Sequence, residues 1–175
     1  MFKNILVAFD GSEAARQGLA TGLALAADQQ ATLFVLNVVE GMPAGWSAYV
    51  DEQFRPPRVQ ALLEGLRAAA QRVLDEARAI ALRCGQAAKT SLVDARGRSA
   101  ADVILAQARE VNADIVVLGT HGRTGVSRLV TGSTAESVLR RAEVPVLLVR
   151  ARAKVPAPNI AQPITADCTA QALKA

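Results

Sequence analysis

Asp114-Ile115-Val116-Val117-Leu118-Gly119-Thr120-His121-Gly122 is the stretch whose reading decides the fold. The run Ile115 to Leu118 is apolar without alternation, so Asp114 to Leu118 reads as a strand covered on both faces. Glycines follow at Gly119, Gly122, Gly125 and Gly132, and Ser133 then opens a helix to about Arg141. Val144 to Val149 is a further apolar run and reads as the closing strand. Strand, glycine-rich connection, helix and strand form the repeating unit of a parallel α/β sheet.

The alternation extends back to the N-terminus. Residues 3–9 read as a short buried strand, broken by Asp10-Gly11-Ser12. A helix from Glu13 to Ala27 places Ala15, Leu19, Leu23 and Ala26 or Ala27 on one face, with Ser12 as N-cap and Glu13 in the first turn. A strand follows from Ala31 to Val39. The irregular stretch from Gly41 to Pro57 holds Trp46, Tyr49 and Phe54, half of the six aromatic residues, so it is expected to pack as a loop or lid. Pro57 opens a helix to about Arg83, in which Val59, Leu62, Leu63, Leu66, Ala70, Val73, Leu74, Ala77, Ile80 and Ala81 keep a helical period. Gly85 ends it in the left-handed conformation. A strand from Ala88 to Asp94 and a turn at Arg96-Gly97-Arg98 lead to a helix ending near Val111. Ser99 and Asp102 at its start have capping-box spacing, with Asp in place of the usual Glu or Gln.

This order predicts a doubly wound, five-stranded parallel sheet with right-handed crossovers and helices on both faces. Ligands of such sheets bind beyond the carboxyl ends of the strands, where the strand order reverses. Asp10, Val38, Asp94 and Gly119 lie at those ends. Past Arg150 the period stops and prolines accumulate, so residues 1–150 form the domain and 151–175 a flexible C-terminal tail, with room for a short helix near its end.

Composition narrows the function. A chain of 175 residues is one domain with an extension, large enough to bury a core without metal or disulfide staples. Hydrophobic residues are 51% and aromatics only 3%, so Ala, Leu and Val build the core. The net charge of +4 is spread among interleaved acids and bases, without the basic stripe and aromatics of a nucleic-acid binder. Cys84 and Cys168 form no CxxC pair, so neither a thioredoxin-like nor a zinc-ribbon site is supported, and a reducing compartment fits best. The N-terminal apolar run is too short for a signal-peptide core, and none approaches the roughly 18 residues of a membrane span, so a cytoplasmic protein without a membrane partner is expected.

The glycine segment carries the chemistry. Glycines after a strand let the backbone approach a ligand closely. A helix start at Gly132-Ser133 offers unpaired N–H groups and the positive dipole end to a phosphate. Ser133 and Glu136 have capping-box spacing. The hydroxyl of Ser133 or Thr131 is placed to donate to a phosphate, and Arg123 and Arg128 either add charge or are simply solvated. No Gly-Lys-Ser/Thr follows, so this is not a P-loop, nor is it the dinucleotide GxGxxG. Taken alone, the glycines also fit a plain flexible connection.

The spacing Gly119-x2-Gly122-x9-Gly132-Ser133 resembles the GxxGx9G(S/T) signature of ATP-binding members of the universal stress protein family. The opening strand with Asp10 and Ser12, the strand end Asn37-Val38, the run Asn112 to Gly122 and the closing Val144-Pro145-Val146-Leu147-Leu148-Val149 are similar to the family's in the same order, over residues 1–150. Gly97 departs from the pattern: Ser99 stands two places on, where the family often has Pro. The resemblance implies the adenine nucleotide α-hydrolase-like sandwich with strand order 3-2-1-4-5. It implies that Val38 meets adenine through its backbone, that Asp10 lies by the ribose hydroxyls, and that Gly119 contacts the ribose. Gly122, Gly132, Ser133 and Thr134 would hold the phosphates. His121, the lone histidine, would be a loop residue bonding backbone or nucleotide. ATP, AMP or ADP is the implied ligand, with Mg2+ bridging phosphates where present. A homodimer pairing Val146 to Val149 across a two-fold axis is implied as well.

No efficient catalytic set is visible. His121 has no nucleophile partner, and Asp10 at a ribose is a binder rather than a general base. A cytoplasmic stress-response protein that senses adenine nucleotide, with at most slow hydrolysis, is therefore expected. Alternatives are a structural or regulatory dimer with an unoccupied site, or an adenylate-forming enzyme. Phe9-Asp10-Gly11-Ser12-Glu13 does not match the Ser-Gly-Gly-x-Asp-Ser loop of such enzymes.

Overall fold

Both faces of every strand but the edge ones must be apolar if helices cover the sheet twice, and the packing follows that rule. The computed structural model describes residues 1–40, 56–120 and 132–151. Within them the chain runs β1 (Asn4–Ala8), α1 (Glu13–Gln29), β2 (Thr32–Val39), α2 (Pro57–Arg83), β3 (Ala88–Asp94), α3 (Ala100–Glu110), β4 (Ile115–Gly119), α4 (Ser133–Arg141) and β5 (Val146–Val149). The sheet is all parallel, as the alternation of elements predicts, and its order is β3-β2-β1-β4-β5, as the resemblance implies.

Side chains of one strand alternate between the two layers. Ile5, Val7 and Phe9 pack with Ala15, Leu19 and Leu23 of α1 and Leu74, Ala77 and Ile80 of α2. Leu6 and Leu36 point the other way, into Ala101, Ile104 and Leu105 of α3 and Ala135 and Val138 of α4. Burying an aliphatic side chain such as Leu74 contributes about 1.5–3 kcal/mol, and these two layers hold the sheet.

Local signals act as read. The Ser12 hydroxyl caps α1 by accepting from the Ala15 N–H. Ser99 and Asp102 form a complete capping box on α3 despite the shorter acid. Three expectations need correction. Leu62 does not belong to the buried face of α2, being 61% exposed; Leu63 takes the core position beside it. The final strand starts at Val146 rather than Val144. Ser133 is not a cap, because α4 begins at it and Gly132 is the N-cap, without a side-chain cap hydrogen bond. The lid around Trp46, Tyr49 and Phe54 and the tail from 152 to 175 lie outside the described residues.

The topology creates one crevice. β1 hands the chain to α1 on one face, while its neighbour β4 leads towards α4 on the other. Their carboxyl ends part there, which is the position where open α/β sheets take ligands.

Candidate functional site

Ala8 pairs in register with Leu36 and with Leu118. Continuing that register by two residues brings Asp10 level with Val38 and Thr120. Asp10, Val38 and Gly119 are thus gathered on one rim, each half-buried.

The β1 side of the rim is fixed by one backbone bond and by the side chains of Asn37 and Asp10. The Phe9 N–H donates to the Leu36 carbonyl at 2.8 Å. The Asn37 amide donates to the Phe9 carbonyl at 2.7 Å. The Ser12 N–H donates to Asp10 Oδ1 at 2.9 Å, an Asx turn that orients the carboxylate. Gly11 between them has φ of 80°, a conformation that favours glycine. On the next turn of α1, Arg16 pairs with Glu76 at 2.8 Å. That hydrogen bond raises the Arg16 pKa above its ordinary value, against partial burial, with smaller contributions from Glu13 and Asp10.

The β4 side is held by backbone. The Thr120 N–H donates to the Val149 carbonyl at 2.8 Å, and the Gly132 N–H donates to the Thr120 carbonyl at 2.7 Å. Thr120 is buried, and this pair of bonds seats the first turn of α4 beside the end of β4. Ser133 is exposed and Thr134 half-buried at that turn. The first N–H groups of a helix lack intrahelical partners. Gly132 supplies no side chain to them.

Gly119 has a reason that sequence inspection misses. A Cβ there would lie 2.8 Å from the Ala14 Cβ and 2.9 Å from the Ala14 carbonyl carbon. The glycine lets α1 pack against the end of β4, whether or not a ligand comes near. His121 and Gly122, with Arg123, Arg128 and Thr131, lie outside the described residues.

Asp94 reaches a strand end as expected but is drawn into an ion pair, accepting from Arg67 of α2 at 2.9 and 2.5 Å. β3 is three strands from β4, about 14 Å at ordinary strand spacing, so Asp94 flanks the rim rather than sharing its centre. Glu40, just past β2, accepts from the Ala100 N–H at 3.1 Å and so adds to the capping of α3. Asn37 and Thr120 were legible only as members of similar motifs; no local pattern announces bonds that cross between strands.

The residues fit an anionic ligand better than a metal. Among the described residues, no group of three or more His, Cys, Asp or Glu is arranged to hold a metal ion. A helix start without a side-chain cap, carrying Ser133 and Thr134, sits beside the end of β4, on the same rim as Asp10; such a pair suits phosphate at one end of a ligand and hydroxyl donors at the other.

The model of the "Universal stress protein family" matches residues 1–150. A curated relative from Thermus aquaticus, "Universal stress protein in QAH/OAS sulfhydrylase 3'region", is 36% identical over 150 residues, 86% of this chain and 100% of its own. A solved structure from Burkholderia pseudomallei, described as a protein from the universal stress protein family, is 34% identical with a TM-score of 0.64, covering 84% of this chain and 95% of that one. The universal stress protein from Archaeoglobus fulgidus in complex with dAMP shares the fold at 22% identity and a TM-score of 0.53, covering 84% of this chain and 97% of its own.

Proposed function

Because the chain belongs to the universal stress protein family, we propose that it is a nucleotide-dependent regulator that binds ATP, or AMP or ADP, on the rim between β1 and β4. The observation that carries this reading is the uncapped first turn of α4, tied to Thr120 and set on the same rim as Asp10. The Archaeoglobus fulgidus protein of this fold is in complex with dAMP, which supports an adenine nucleotide as the ligand class.

In this reading Val38 meets adenine through its backbone, Asp10 accepts from ribose hydroxyls, and the Gly119 backbone lies along the ribose. Gly132, Ser133 and Thr134 donate to phosphates, joined by Gly122 and His121 of the connecting segment. Phosphate binding by helix N–H groups needs no side-chain charge. A Mg2+ arriving with the nucleotide would be held chiefly through its phosphates. Asp10 is read here as a ribose binder rather than a general base, so the protein senses occupancy, with turnover slow at most.

β5 lies at the edge of the sheet with four half-buried apolar residues, Val146 to Val149. An open apolar edge invites pairing, and a homodimer through β5 would cover it. Among the described residues no helix is long and apolar enough to cross a membrane.

One observation favours a second reading. Because Gly119 is demanded by the packing of α1, its presence alone does not argue for a ligand. A structural dimer with an empty site remains the competitor. The deciding experiment denatures purified full-length protein, identifies released nucleotide by mass spectrometry, and titrates the emptied protein with ATP with and without magnesium. Adenine nucleotide near one per chain, or saturable ATP binding, is expected. No binding at millimolar ATP would leave the structural dimer.

A further inference from the structure

A strand running through the middle of a sheet has little use for an amide. The neighbours of Asn37 on β2 are buried apolar residues, Val35, Leu36 and Val39, and Asn37 itself is 2% exposed. Valine at this position would favour the strand and need no partner. The amide instead spans from β2 to the Phe9 carbonyl at 2.7 Å, where β1 leaves the sheet. The next residue is Asp10, whose carboxylate is turned by the Ser12 N–H at 2.9 Å. The peptide carrying Asp10 is therefore held at its start by Asn37 and at its side chain by Ser12.

We propose that Asn37 is a positioning residue for the sugar: by holding the Phe9 carbonyl it fixes Asp10 where ribose hydroxyls can donate to it, and so sets preference for nucleotides with intact ribose hydroxyls. This rests on the placement of the ribose at Asp10 argued above. Asn37 touches no ligand; its action passes through one backbone carbonyl. A purely structural amide would change stability and weaken all ligands alike, whereas a positioning amide changes the ratio between sugars.

The experiment titrates the full chain calorimetrically with ATP and with 2′,3′-dideoxy-ATP, which lacks both hydroxyl donors. Hydrogen bonds to a charged carboxylate predict that the native protein prefers ATP by about tenfold or more. Asn37→Leu, close in volume but without a donor, should bring ATP down to the dideoxy level while moving dideoxy-ATP by less than about threefold. Asp10→Asn should collapse the same preference, and adding Asn37→Leu to it should cost ATP nothing more. Asn37→Ser, polar but too short to span the gap, covers the case in which the leucine variant does not fold, and should show the same collapse. Equal weakening of both ligands, or a preference kept in full by the serine or leucine variant, overturns the proposal. A native protein that binds ATP and dideoxy-ATP equally removes the ribose from Asp10 and the proposal with it. A native protein that binds neither fails the nucleotide reading itself.

Discussion

The two strand ends that frame the crevice are built by different means. At β1 the rim is set by side chains: the Asn37 amide on Phe9, and Asp10 turned by Ser12. At β4 it is set by backbone and by a missing side chain: Thr120 between Val149 and Gly132, and Gly119 against α1. A side-chain site can discriminate, because changing one residue changes which groups are paired. A backbone site is indifferent to most side-chain exchanges and fails only when bulk is added or the peptide moves. In the nucleotide reading, sugar selectivity then resides at β1 and phosphate affinity at β4.

The largest effect should come from adding bulk on the β4 side. Gly119→Ala puts a methyl 2.8 Å from Ala14 and forces the start of α1 to shift. Overpacking of this kind costs about 1–3 kcal/mol, measurable by urea unfolding. Since α1 begins at the residues that orient Asp10, the same variant should also blur sugar preference. A Gly119→Ala protein with native stability would mean that α1 yields freely, and the two rims would then be independent.

Much of this was legible in the sequence. Unbroken apolar runs at Ile115 to Leu118 and Ile5 to Phe9, too short for helices and bounded by glycine-containing breaks, read as strands buried on both faces, which puts helices on both sides. The limits of α2 and β3 were readable because Pro57 and Gly85 mark local backbone conformations. Leu62 was misplaced because its neighbour Leu63 satisfies the helical period equally well, and only packing chooses between them. The Ser133 cap was misread for a related reason. Spacing to Glu136 allows a capping box, but with Gly132 bonded to Thr120 the helix starts at Ser133, one residue earlier than a Ser133 cap would need. Arg67 with Asp94 and Asn37 with Phe9 lie 27 and 28 residues apart, beyond any local pattern.

A pair of serines sharpens the contrast at intermediate cost. Ser12 accepts from the Ala15 N–H at 3.2 Å and is a true N-cap, so Ser12→Ala should lose about 1 kcal/mol of stability. Ser133 is the first residue inside α4 and caps nothing, so Ser133→Ala should change stability by less than about 0.5 kcal/mol. If Ser133 donates to phosphate, its variant weakens ATP and dideoxy-ATP together. Equal stability losses for the two serines would restore Ser133 as a cap.

The smallest effect belongs to the far end of the same two strands, where it tests whether the rims respond to anything but their own chemistry. Asp114 accepts from the Lys3 N–H at 2.6 Å and the Asn4 N–H at 2.8 Å, clamping β1 to β4 at their amino ends. These backbone bonds, that from Asn4 foremost, lower the Asp114 pKa below the ordinary carboxylate value. A carboxylate with a lowered folded pKa stabilises the fold above its unfolded pKa, near 4. That stabilisation is lost as pH falls through the lower folded value. Asp114→Asn should therefore be less stable than the native chain at pH 7, and the gap should close as pH drops below about 4. Asp102, held down to about 2 by Ser99 and Arg141, remains in both proteins, so acid still weakens the variant. Urea unfolding across pH 2 to 7 measures the gap. A gap that stays constant through that range would show that the Asp114 charge adds nothing to its two hydrogen bonds. Because this clamp sits at the opposite end of β1 from Asn37, Asp114→Asn should also leave the ratio of ATP to dideoxy-ATP affinity at its native value. A changed ratio would mean that β1 transmits strain along its length, and sugar selectivity would then belong to the strand rather than to its rim.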